Sequence, residues 1–363
     1  MNNKLSLLVV LLFTSILVLA GCGDKKPADQ PKAASTQSAS EQKSSDKPII
    51  IKLATNHPAT HVATIAGSKY FMDRVEKETN GKVKFEFYPA QQLGKAKDML
   101  NLVKSGTADM TYTLSSLVPG ELPLSTVGEL PVFDDARIAV KAFRKLADED
   151  LYEKEIKRHG IRPLIVVVWS QCVMFSSKEI KTLEELQGLK IGTSGNVKLG
   201  IAKALGGVPV LMSAADTYEM MQRGVVDTTT AMFNNAESYK LNEIVKNAVT
   251  KVPMGGYLGY YFINENTWQK LPEDVKQVMI KVGLDASDNL SKVSEEEDKR
   301  VELKWEKEGM KVNRLDGTER EKWLAKISTY EEEWIKEMEA KGLDARPVLD
   351  KFKQYLKEET AKK

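Results

Sequence analysis
The chain opens with an unbroken apolar run and then settles into alternating patterns. Residues 5–20 are apolar apart from a few small hydroxyl residues, and they follow a short positive stretch, residues 1–4. The run is short for a membrane helix and ends in Leu19-Ala20-Gly21-Cys22. That order of charge, apolar stretch and small-residue box reads as a lipoprotein signal peptide, residues 1–21, which leaves Cys22 as a lipidated first residue. Residues 22–48 hold Lys, Pro, Ala, Ser, Gln and Asp with almost no large apolar side chain. Such a segment cannot bury enough surface to order itself, so it reads as a solvated tether spanning on the order of 25–30 Å.

From residue 49 the periodicities switch between those of strand and helix. Strands are predicted over 49–54, 82–88, 108–114, 162–169, 189–191, 208–211 and 225–231. Helices are predicted over 60–79, with Ile65, Tyr70, Phe71 and Val75 on one face, and over 95–105, 136–159, 196–205 and 214–223. Asn80-Gly81 and Gly106 are placed as helix stops. This alternation implies α/β units on a largely parallel sheet, and 169–175 reads as a crossing between lobes. Leu271-Pro272-Glu273-Asp274 opens a further helix, with Pro and acids at its start. Val275, Val278, Met279, Val282, Ala286, Leu290, Val293, Val301 and Trp305 continue it to Gly309. At 1.5 Å per residue it would be about 55 Å long, more than one lobe, so it is expected to run along both. Its charged stretch, 295–300, reads as a solvated face; a coiled-coil partner helix is the alternative, although the apolar face is not a sustained heptad.

Composition then removes several function classes. A chain of 363 residues fits two lobes of about 150 residues each. Lys+Arg (53) and Asp+Glu (51) leave a net charge of +2, and no helix carries a basic stripe, so nothing points to nucleic acid. Three His and two Cys are too few for a zinc ribbon. After cleavage Cys172 would be a lone thiol, which rules out an intrachain disulfide. His57 and His61, four apart, could form a metal pair, but no third ligand lies nearby, and solute contact or capping is the competing reading. Cys172, flanked by Val173-Met174-Phe175, reads as an inert wall residue rather than a nucleophile. No cofactor motif is present: Gly206-Gly207-Val208-Pro209 is a turn before a strand, with no Gly-Lys-Ser/Thr after it. A surface-tethered hydrolase would need a nucleophile and base, and no Gly-x-Ser-x-Gly or His-Glu-x-x-His occurs.

Six short motifs, in order, carry a resemblance. They are Tyr88-Pro89-Ala90-Gln91-Gln92-Leu93-Gly94, Gly106-Thr107-Ala108-Asp109-Met110 and Glu129-Leu130-Pro131-Val132-Phe133, followed by the stretch from Leu183 to Ile191, Gly224-Val225-Val226-Asp227 and Leu271-Pro272. The chain resembles the solute-binding proteins of TRAP transporters, the DctP family. The resemblance implies a two-lobe periplasmic-binding-protein-like α/β architecture, with a hinge and a long helix spanning both lobes. It places residues 49–169 with about 278–317 in lobe I, 170–277 with about 318–350 in lobe II, and 351–363 in a tail. It implies lobe closure on a small organic solute, delivered to the small and large membrane subunits of an ion-driven importer. The protein would sit lipid-anchored on the outer face of the cytoplasmic membrane, as a monomer or a helix-paired dimer. A sensor lobe reporting to a receptor would use the same fold.

The resemblance also names cleft positions. Family members carry an Arg directly after the strand at Ile191; here that residue is Gly192. A second family Arg aligns with Cys172, a ligand-binding Asn with Val252, polar residues with Leu114 and Leu117, and an aromatic with Ala214. Asn56 matches, beside His57. A carboxylate buried without a charged partner costs several kcal/mol. The expected solute is therefore neutral, aromatic or weakly acidic. Tyr112, Trp169, Phe233, Tyr257 and Tyr260 are the candidate aromatic walls, and backbone N–H groups of 192–195 are an alternative anion site.

Overall fold
The structure, a computed structural model, describes residues 47–362; the signal peptide, Cys22 and most of the tether lie outside them. The chain lays down β1 (Ile49–Ala54), β2 (Val83–Tyr88), β3 (Met110–Leu114) and β4 (Ile161–Val168). Among them lie α1 (Tyr70–Glu78), α2 (Met99–Ser105) and α3 (Ala136–Leu146). It then crosses to build β5 (Val173–Ser176), β6 (Lys190–Thr193), α4 (Asn196–Ala204), β7 (Val208–Leu211) and α5 (Thr217–Gln222). After these come β8 (Thr228–Ala231), α6 (Phe233–Ser238) and β9 (Asn247–Thr250). It returns for β10 (Leu258–Asn264) and α7 (Glu265–Lys270). The close is α8 (Glu273–Lys307), β11 (Lys311–Arg314), α9 (Gly317–Glu339) and α10 (Arg346–Thr360).

Two sheets result, in the orders β2-β1-β3-β10-β4 and β11-β9-β5-β8-β6-β7. Parallel pairing holds for β1 with β2 and β3, for β6 with β7 and β8, and for β9 with β11. One strand in each sheet departs from the expected parallel order. β10 is antiparallel to β3 and β4, and β5 to β8 and β9. These are the strands that arrive from the other lobe, so they enter from the cleft end.

The two crossings run side by side. Trp169 N–H donates to Tyr257 O (3.0 Å), Cys172 N–H to Gly255 O (2.9 Å) and Met254 N–H to Cys172 O (3.3 Å). α8 is the third crossing, 35 residues and about 52 Å long. Its first half buries Val275, Met279, Val282, Ala286 and Leu290 in the larger core, and its last turns bury Val301 and Trp305 with Phe175 and Phe233. β4 is rich in β-branched residues and buried at every position but Arg162, as a strand covered on both faces should be. β4 is an edge strand; the N–H of Val166 donates to Ser287 Oγ of α8 (3.1 Å).

Several boundaries differ from those expected. Residues 258–270 belong to the first sheet and its α7, not to lobe II. β11 pairs with β9 in the second sheet, so 311–314 leaves lobe I. α9 touches both lobes: Tyr330 packs over Gly200 of α4, and Trp334 Nε1 donates to Thr126 Oγ1 (2.9 Å). The expected tail is mostly α10, whose Phe352 meets Phe133 and Phe143 edge-on. Four or more crossings cannot be cut into a few contiguous blocks. Ile65 is 56% exposed, since the helix begins as a wide π-type turn over Ala63–Lys69 and only Phe71, Met72 and Val75 of α1 face inward.

The closest approach of α8 to the sheet yields a prediction. A Cβ on Gly283 would lie 2.4 Å from the backbone oxygen of Leu164. Gly283→Ala should cost about 1–3 kcal/mol in urea unfolding, whereas Leu284→Ala, at a side chain 43% exposed, should stay within about 0.5 kcal/mol. Equal effects would mean that α8 does not seat on β4 at this point.

Candidate functional site
Open α/β sheets place ligands beyond the C-terminal ends of their parallel strands. In the second lobe those ends line a narrow cleft. Thr193 ends β6 and Ser194 follows it, Met212 to Ala214 follow β7, Thr229 to Ala231 come from β8, and Tyr257 enters from the crossing. None of the lining side chains carries a formal charge. Hydroxyl groups dominate instead: Thr230 Oγ1 donates to Thr193 Oγ1 (2.8 Å), and the hydroxyls of Ser194 and Tyr257 share a hydrogen bond (2.8 Å). Burial raises the Tyr257 phenol well above its ordinary value, so it stays protonated.

Gly192 lies within β6, between Val210 and Thr229. A Cβ there would fall 2.4 Å from the terminal methyl carbon of Met212. Met212 thus takes up the space that a longer side chain at 192 would need. The residue is a strand position rather than part of a free N–H turn.

The first lobe packs an aromatic cluster beside the turn after β1, with Tyr112 and Trp169 in its core. The turn after β1 carries Asn56 and His57, and the tract from Tyr88 to Gly94 clamps it. Ala90 N–H donates to His57 O (2.8 Å) and Gln91 N–H to Thr55 O (3.1 Å). Ala90 and Gln91 adopt positive φ to do so (51° and 63°). His57 and His61 stack face to face, with ring centroids 4.1 Å apart and planes 10° apart. His57 lies against Tyr112 (4.9 Å) and His61 against Trp169 (6.3 Å), while Trp169 Nε1 donates to Tyr112 Oη (3.0 Å). Burial holds His57 well below the usual imidazole range and His61 at about 4, so both are neutral near pH 7. Nearly parallel rings do not converge lone pairs on one ion, and His61 Nδ1 already accepts from Ala63 N–H (3.1 Å). His57 Nε2 is sealed from solvent without a protein partner. Leu114 ends β3 half-buried, and Leu117 follows it, 38% exposed.

Other expected cleft residues are placed elsewhere. Cys172 and Val252 line a groove with Ser170, Gln171 and Arg320, apart from the hydroxyl-lined cavity. Cys172 is fully buried, and burial pushes its thiol up to about 12, so no thiolate forms near neutrality. Phe233 packs edge-on to Phe175 (5.0 Å) and Trp305 (5.8 Å) in the second lobe's core. Tyr260 is likewise core, stacked on Phe262 (4.7 Å) with its hydroxyl bonded to that of Ser125 (2.7 Å). Ala214 and Tyr257 do line the cavity.

Two residues that the sequence does not mark as cleft positions join the lobes. Lys198 of α4 and Glu129, which precedes Leu130-Pro131, form a buried ion pair (3.4 Å). Lys198 stands three and four positions before buried Ile201 and Ala202, a charge on an apolar helix face, which was its legible signal. Nearby, Ser116 meets Gly195, where a Cβ would come within 2.8 Å of the serine Cβ. The two lobes are therefore in contact here, and a solute would need them to part before it entered.

The family model of bacterial extracellular solute-binding proteins, family 7 (DctP), matches residues 53–338. The chain belongs to the DctP family. It is 28% identical over 304 residues to the C4-dicarboxylate-binding periplasmic protein DctP of Rhodobacter capsulatus, covering 82% of this chain and 90% of that one. A TRAP periplasmic solute-binding protein of Desulfovibrio salexigens superposes with a TM-score of 0.76 at 26% identity, covering 85% of this chain and 96% of that one. A marine metagenome TRAP solute-binding protein specific for aromatic acids, solved with 3-hydroxybenzoate, has a TM-score of 0.80 at 22% identity, covering 86% and 99%. The last comparison shows the shared fold. In the DctP family two lobes about a hinge bind small organic solutes and work with membrane subunits, and both sheets and the crossings here have that form.

A half-buried carboxyl stands at the crossing of this DctP-family member. Asp298 of α8 accepts from Asn234 N–H of α6 (2.8 Å) and from the side chain of Ser170. Burial foremost, with Glu295 and Glu302 nearby, raises it to about 7. Glu155, beneath the turn at Leu124 and Ser125, is also raised to about 7 by burial. A carboxyl raised in the folded state holds its proton more tightly there than in the unfolded chain. Each therefore costs stability as pH climbs from about 4 to about 7. Asp298→Asn should make the fall in Tm between about pH 5 and pH 8 shallower than in the wild type. An identical slope would mean that Asp298 does not titrate in that window.

Proposed function
We propose that this protein is the solute-capturing component of a TRAP-type importer, closing its lobes on a small neutral, aromatic or weakly acidic solute and handing it to the membrane subunits. The observation that carries the solute class is the cavity beyond β6, β7 and β8. Its side chains are hydroxyls, an amide and apolar groups, and Met212 stands where a side chain at 192 would reach. A solute placed there meets donors and acceptors on the second lobe, with Ala214 and Tyr257 in the lining. On the first lobe, half-buried Asn56 and His57 and exposed Leu117 are the positions assigned to face it, with Tyr112 and Trp169 buried behind His57 and His61. The aromatic-acid binder with the same fold supports an aromatic solute; the dicarboxylate-binding relative is the acid alternative. A hydrolase finds less support, because the thiol of Cys172 stays protonated and the two stacked imidazoles lean on each other rather than on a hydroxyl. No helix among the described residues is long and apolar enough to cross a membrane. Attachment to the outer face of the membrane would then rest on the lipid at Cys22.

Thermal shift against paired solutes tests the capture reading. Each pair joins an acid to its alcohol or amide, in aliphatic and aromatic versions. Ligand at a hundred times its Kd adds about 2.7 kcal/mol and should raise Tm by a few degrees. Neutral and aromatic members are expected to shift it more than simple dicarboxylates. Gly192→Arg should abolish the shift, since its side chain must displace Met212; a response by dicarboxylates alone would overturn the assigned solute class.

Anchoring has its own test. Cys22→Ser should move the protein from the membrane fraction to the soluble fraction of expressing cells without changing the Tm of the folded domain. Equal membrane retention would refute lipid attachment at Cys22.

A further inference from the structure
Lys198 is buried to its tip. Its Nζ donates to Gly256 O (2.6 Å), lies 3.4 Å from Glu129 Oε2 and sits 3.7 Å from the centre of the Tyr257 ring. Glu129 is equally buried, and its other oxygen accepts from Ser115 Oγ (2.5 Å). The pair stands directly behind the cavity wall. Tyr257 and Ser194 both line the cavity, and a Cβ on the intervening turn at Gly195 would lie 3.6 Å from Glu129 Oε2 and 3.7 Å from Lys198 Nζ.

An ammonium one side chain behind an uncharged cavity should draw anions into it. Glu129 cancels that charge at the same depth. We propose that Glu129 sets the charge preference of the cleft: by neutralising Lys198 it turns the cavity against carboxylates and toward neutral solutes. The inference rests on the solute-capture reading above and names the residue behind its solute class. The physical basis is range. At an effective dielectric constant near 20, one unit charge several ångströms away changes anion affinity on the order of tenfold or more. Removing Glu129 acts twice, because it unmasks the cation and deletes a like charge. Stability alone is a poor account of the pair, since desolvation consumes much of what a buried ion pair gains. Cys172, beside Tyr257, stays protonated and so does not replace the cancelled charge.

The experiment compares benzoate with benzyl alcohol by titration calorimetry on the tetherless domain, residues 47–362. That span holds both cores and all eleven strands. Three proteins are used: wild type, Glu129→Gln, and Glu129→Gln with Lys198→Met. The benzoate-to-alcohol affinity ratio should rise at least about tenfold in Glu129→Gln and return to the wild-type ratio in the double variant. The same ratio in all three proteins, including no binding of either probe by any of them, would overturn the proposal. Should Glu129→Gln fail to fold, as judged by its melting transition, Glu129→Asp draws the carboxylate back by one methylene and should show a smaller rise in the same direction. A wild type that responds to other solutes in the panel while the ratio stays fixed sinks this proposal alone. Silence toward the whole panel would count against the capture reading itself.

Discussion
Two chain segments pass each other between the lobes, and their backbones must satisfy one another where neither sheet reaches. That pairing, residues 169–172 beside 254–257, is the constraint on which the rest of the structure depends. It obliges β5 and β10 to enter their sheets from the cleft end, and so to run antiparallel to both neighbours. It aims the C-terminal ends of the remaining strands at one place. It also sets Tyr257 at the cavity and Gly256 against Glu129, whose backbone oxygen accepts the Gly256 N–H (2.9 Å). A segment of the first lobe is thereby tied to the hinge at the residue that meets Lys198.

The chemistry of the cleft follows from what such a position can hold. Charge is expensive away from water unless it is partnered. The cavity meets that limit by offering hydroxyls and an amide, and the ammonium behind its wall is already matched by a carboxylate. Met212 is the counterpart of Gly192. A flexible thioether fills irregular space easily, so a strand residue without a side chain leaves no void. Half-buried Asp298 follows the same economy at the base of the hinge, where two hydrogen bonds hold a carboxyl that desolvation keeps partly protonated.

Much of the fold was legible in local pattern. The β-branched run of β4, the glycine after α2 and the apolar period of α8 each record a local choice of backbone conformation, and the structure has them within a few residues. The motif from Tyr88 to Gly94 was legible only as a resemblance. Its physical task, clamping the turn that carries His57 with two residues at positive φ, involves a partner more than thirty residues away. Lys198 could have been noticed as a charge on an apolar face. Glu129 gave no such sign, because its burial is produced by a helix from the other lobe.

By itself, then, the sequence determined the alternating α/β elements, the long spanning helix and the absence of an arginine at residue 192, since these are properties of short windows and of single positions. Tertiary structure alone decided which lobe claims β10, β11 and α10, that Phe233 and Tyr260 lie in the core while Tyr257 lines the cavity, and that Lys198 is matched by Glu129. Those outcomes depend on contacts between segments far apart in the chain, and hydrophobic periodicity carries no information about which distant segment will supply the partner.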